Sequence, residues 1–100
     1  MRVDLTAIHN LMFKFYGSRE MQMSTFVERK HFLRPKELKI TFDYDTLCHV
    51  DMLRLHRRLG RHINGVREFF VSVNDNKIEI LVVLYWGRRL RDYDFEFSQN

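Results

Sequence analysis

The stretch LKITFDYDTLCHVDMLRLHRRLGRHING, residues 38–65, carries two hydrophobic periods in succession. In its first part Leu38, Ile40, Phe42 and Tyr44 alternate with Lys39, Thr41 and Asp43. Successive side chains on a strand point to opposite faces, so this alternation predicts a strand with one face buried. In the remainder apolar residues return every three to four positions. At about 100° per residue, Cys48, Met52, Leu55, Leu59 and Ile63 fall within an arc of about 80°. That spacing predicts an amphipathic helix over about 46–63, capped by Asp45 or Thr46 and stopped at Asn64-Gly65. Cys48 would then face the core, where an apolar setting makes a thiol inert.

The other segments arrange themselves around this pair. Leu5, Ile8, Leu11, Met12, Phe15 and Tyr16 share one face of a helix over 5–16, with Asp4 as its N-cap and Gly17 just past its end. Residues 20–28 alternate as a strand does, and 29–37 form a polar, basic connection around Pro35. After the second helix comes a meander. Phe69, Val71 and Val73 line one face of a strand, Asn74-Asp75-Asn76-Lys77 turns, and 78–86 form the next strand. Gly87-Arg88 turns again and 91–97 form the last strand. The expected fold is therefore α+β, an antiparallel sheet of four to five strands with two helices, in the order α-β-β-α-β-β-β.

Length and composition agree with one domain over residues 1–100. Apolar residues make up 45% of the chain, with nine Phe, which is too apolar for a disordered segment. A single cysteine excludes an internal disulfide and points to a reducing, cytoplasmic setting. No apolar run approaches the roughly 18 residues that span a bilayer, and Asp4, His9 and Asn10 break any leader core near the start. No membrane partner is expected. The net charge of +4 permits an anionic partner without demanding one.

Four arginines, Arg54, Arg57, Arg58 and Arg61, fall in an arc of about 100° on the far side of the second helix. Guanidinium forks match phosphate and carboxylate groups in a bidentate way, so this stripe is a candidate surface for an anionic partner. A solvated face paired to acids elsewhere in the chain is the plainer alternative. Asp92, Asp94 and Glu96 could supply those acids, since alternate positions place them on one face of the last strand. The same three could hold a divalent ion in a hydrolytic site, although charge that blocks edge pairing also accounts for them. Asp45 and His49 have i,i+4 spacing but lack a third ligand, and His49 and His56 lie two turns apart. Glu28-Arg29-Lys30 matches only half of a nuclease signature. No catalytic residue, metal ligand or cofactor is assigned.

The strand over 78–86 is apolar on both sides. Ile78, Ile80, Val82, Leu84 and Trp86 face one way, Leu81, Val83 and Tyr85 the other. One side covers the core. The other needs cover from the first helix, another segment or another chain. Leu81, Val83 and Tyr85 are therefore the candidate self-association or protein interface. The leading expectation is a small non-catalytic interaction or regulatory module that forms a homodimer through its sheet or takes a protein partner. The alternatives are a nucleic-acid-binding protein that uses the arginine stripe, helped by Arg29, Lys30, Arg34, Lys36, Arg88, Arg89 and Arg91, and a metal-dependent hydrolase.

Overall fold

A computed structural model describes residues 2–17, 21–28 and 34–85. The elements in chain order are β1 (Arg2–Val3), α1 (Leu5–Tyr16), β2 (Gln22–Glu28), β3 (Glu37–Asp43), α2 (Met52–Leu59), β4 (Ile63–Asn64), β5 (Glu68–Asn74) and β6 (Lys77–Val83). The class is α+β, and as far as β6 the order follows the expected α-β-β-α-β-β, with two two-residue strands added, β1 and β4. The strand expected over 91–97 and the turn at Gly87-Arg88 lie outside the described residues.

Helix α1 begins and ends at its sequence signals. The Asp4 carboxylate accepts the Ala7 N–H at 3.0 Å, which satisfies one of the donors a helix start leaves open. At the other end the Gly17 N–H donates to the Phe13 carbonyl at 3.0 Å. A Cβ on Gly17 would sit 2.5 Å from that carbonyl oxygen, so the close approach requires glycine. Leu5, Ile8 and Met12 form the buried face.

The second helix is shorter than its periodicity predicts. It starts at Met52, capped by Asp51, whose side chain accepts the Arg54 N–H at 3.2 Å. The reason lies outside the helix. The Leu47 N–H donates to the Asn76 side chain at 3.1 Å, and Tyr44 N–H donates to the Asn76 carbonyl at 2.9 Å. Asn76, in the turn between β5 and β6, thus holds residues 44–47 in a non-helical crossing that bends at 45 and 46, and Val50 beyond it is buried. Cys48 consequently leaves the core face and is exposed. At the far end the chain turns through Gly60, and Ile63 pairs with Val3 in β4 instead of extending the helix. Gly65, at φ 72°, follows that strand.

The main sheet has the order β2-β3-β6-β5, with every neighbour antiparallel. The register aligns Val27, Leu38, Val82 and Phe69 across it, then Thr25, Ile40, Ile80 and Val71, then Met23, Phe42, Ile78 and Val73. This is the inner face. Its central residues join the buried side chains of α1 and α2 in one core, so both helices lie on this side. Leu55 and Leu59 are fully buried there. The backbone of Asp4 closes the layer by donating to the His62 carbonyl at 3.0 Å, tying the start of α1 to the chain just past α2. Among the described residues no helix covers the opposite face.

Candidate interaction surfaces

The open face takes the alternate residues of the same four strands. Its middle row runs Phe26, Lys39, Leu81, Phe70 from edge to edge. Phe26 is 61% exposed and Phe70 52%, and Leu81 is half-buried between them. Together with Glu28, Glu37, Ser72 and Glu79, these residues line a depression of about 240 Å³. Two large rings thus stand in water on the two edge strands of one face, with Lys39 and Leu81 between them.

The charge of this face is lopsided. Glu28, Glu37, Asp43, Glu68 and Glu79 stand against Lys39 and Lys77, a net −3. Lys77 is spent on Asp43 at 3.6 Å. Lys39 lines the depression itself, between Phe26 and Leu81.

The helix side carries the opposite sign. Arg54, Arg57 and Arg61 are exposed and, among the described residues, have no ion-pair partner. Arg58 is different: its guanidinium carbon lies 3.7 Å from the centroid of the Phe15 ring. Arg61 stands in the turn after the helix, so the stripe is three helical residues and one loop residue. Leu53 is 80% exposed, one turn before Arg57 on the outer side of α2. The two sides of the sheet therefore differ in sign, acidic and aromatic on one, basic and apolar on the other.

Compared with known proteins, the chain matches no family model, no curated protein and no solved structure.

Of the three residues expected at a protein interface, Leu81 is half-buried on the open face, Val83 is 8% exposed and Tyr85 is 46% exposed. Asp92, Asp94, Glu96 and Trp86 lie outside the described residues, as do Arg29, Lys30, Arg88, Arg89 and Arg91. Among the described residues no group of three His, Cys, Asp or Glu side chains could hold a metal ion. Asp45 and His49 share no helix, because α2 starts after both. His56 stacks on Phe69 with ring centroids 4.3 Å apart, which pins α2 to β5. Among the described residues no helix is long and apolar enough to cross a membrane.

One buried polar group stands out. Tyr44 is 6% exposed and its hydroxyl has no hydrogen-bond partner among the described residues. Burial pushes its phenol pKa well up, and Tyr16 adds to the push. The ring fills core space.

Phe26 and Phe70 had a sequence signal, though a weak one. Each is the single aromatic among the polar positions of its strand, Gln22, Ser24 and Glu28 in one case, Glu68, Ser72 and Asn74 in the other. That they share a row depends on strand order.

Proposed function

We propose that this chain is a non-catalytic protein-interaction module whose docking surface is the open face of its sheet. The observation that carries this reading is the pair of exposed rings, Phe26 and Phe70, on either side of Leu81. The partner that fits presents an apolar side chain ringed by cations, to fill the depression and meet Glu28, Glu37 and Glu79. A nucleic acid does not suit this face, since its phosphates would meet a net −3. Covering the exposed half of each ring contributes about 1 kcal/mol, taking full burial of Phe as about 1.5–3 kcal/mol. Association costs several kcal/mol in lost freedom. The contact is therefore weak and transient, with charge pairs setting its orientation and rate. An exposed single thiol at Cys48 fits work in a reducing compartment.

A titration of the full chain with a helical peptide of leucine and arginine, followed by backbone NMR shifts, tests the reading. Shifts should concentrate on Phe26, Lys39, Phe70, Glu79 and Leu81. Phe70→Ser should weaken the peptide at least tenfold. Shifts confined to α2, or none at millimolar peptide, would discard the docking face.

A further inference from the structure

We infer that the occupant of the open sheet face is a second copy of this chain, presented through the outer side of α2, so that copies join head to tail. This rests on the open face being a docking surface and adds the identity of what docks there. The chain carries the surface which that face fits. Leu53, 80% exposed, stands out from α2. Arg57 is its i,i+4 neighbour, and Arg54 adjoins it in sequence. Arg54, Arg57 and Arg61 bring three cations without an ion-pair partner among the described residues, and the open face bears a net −3. Asp51, the nearest acid, is engaged as the helix cap. An apolar knob with a basic rim thus faces a socket of Phe26, Leu81 and Phe70 in which Glu28, Glu37 and Glu79 outweigh Lys39.

Geometry decides between the two ways copies can pair. Sheet face against sheet face would bring two net charges of −3 together, which repel. Helix against sheet brings opposite charges together. A chain cannot satisfy both surfaces by itself, because its own sheet and core lie between them. The contact is therefore heterologous: each copy gives one surface and keeps the other free, so association continues past the dimer unless a ring closes.

Sedimentation of the full chain over a concentration and salt series reads this directly. Weight-average mass should climb with concentration at low salt and return to the monomer near 0.5 M salt, where charges are screened over a few ångströms. Two variants then separate the surfaces, Glu79→Lys on the sheet and Leu53→Asp with Arg57→Glu on the helix. Both alter exposed or half-exposed side chains, and far-UV circular dichroism checks that each folds; Phe70→Ser and Leu53→Ser serve as milder substitutes. Each variant alone should stay monomeric. Their mixture should form a one-to-one dimer and nothing larger, since the single intact contact leaves one broken surface at each end. A wild-type monomer at every concentration overturns the inference, and so does association that survives the helix variant. If the leucine-arginine peptide still docks on the sheet in that case, the docking face stands and only its occupant is wrong. Helix-variant loss of binding to a single-stranded oligonucleotide, with the sheet variant unaffected and no self-association, would instead make α2 a nucleic-acid surface.

Discussion

Arg58 places its guanidinium 3.7 Å over the ring of Phe15, so the last turn of α2 is bound to the end of α1 by a cation–π contact. This contact separates Arg58 from the other arginines of the stripe. A contact of this kind at a partly exposed site contributes about 0.5–1 kcal/mol. Arg54 and Arg57 have the opposite balance: like charges three and four residues apart cost a helix a few tenths of a kcal/mol per pair. Arg58→Ala should therefore lower the melting temperature by several degrees. Arg57→Ala should leave it unchanged or raise it slightly. Equal losses from both would show that the stripe acts as one structural unit.

The face assigned to α2 is checked by two leucines. Leu59 is fully buried and Leu53 is 80% exposed. Truncating a buried leucine costs about 2–5 kcal/mol, from lost burial and the cavity left behind. Leu59→Ala should fall in that range by urea denaturation, and Leu53→Ala should stay within about 0.5 kcal/mol of the parent. Reversed magnitudes would mean that the helix is rotated.

Local signals carry α1 and β3 almost residue by residue, because Asp4, Gly17 and the Leu38-to-Phe42 alternation act within a few positions. The start of α2 did not obey its local signals. Asp45 and Thr46 look like caps, and Cys48 and Met52 fall on the apolar stripe of Leu55, Leu59 and Ile63. Asn76, about thirty residues further on, takes the Leu47 N–H instead. No periodicity shows such a contact. The open face was hidden for a similar reason: Leu81 was legible as half of a doubly apolar strand, whereas Phe26 and Phe70 join its row only through the order β2-β3-β6-β5. The sign of that face likewise appears only when four strands are laid side by side.

The same crossing predicts a reactive thiol. With α2 starting at Met52, Cys48 is exposed instead of buried. A maleimide should label it in the native protein at a rate within about tenfold of the denatured chain, as accessibility governs site selectivity. Asn76→Ala should lower stability by about 1 kcal/mol, since the Leu47 N–H then loses its partner. Labelling only after denaturation would restore the longer helix.

Tyr44 ties stability to alkaline pH. Its folded pKa is raised by burial, with Tyr16 contributing, above the value of about 10 for an unfolded tyrosine. The neutral phenol is thus favoured in the fold. Its contribution is complete below about pH 10 and declines as pH rises, by up to about 1.4 kcal/mol per pH unit, because the unfolded chain loses its proton first. Stability against urea should fall steeply above pH 10. Tyr44→Phe should soften that fall, and at pH 7 it should be neutral or stabilising by about 1 kcal/mol, because it removes a buried hydroxyl that has no partner among the described residues. A large loss from Tyr44→Phe at pH 7 would reveal a hydrogen bond that the described residues do not supply.

The last expectation separates surface from core within one residue type. Phe42 is fully buried at the centre of the inner face, whereas Phe70 on the outer face is 52% exposed. Phe42→Ala should cost about 3–5 kcal/mol. Phe70 faces Leu81 across the ladder, and a cross-strand pair of this kind contributes only about 0.2–1 kcal/mol. Phe70→Ser should therefore cost no more than about 1 kcal/mol. Phe26→Ser should behave alike, and its ring is more exposed still. Chemical denaturation of the three variants gives the comparison. If Phe70→Ser costs more than about 2 kcal/mol, its ring is held within the fold, and the open face has no socket to offer. If the cost is small and peptide docking is lost at the same time, the ring serves binding and not folding, since a group that stabilises only the bound state leaves the free chain's stability untouched.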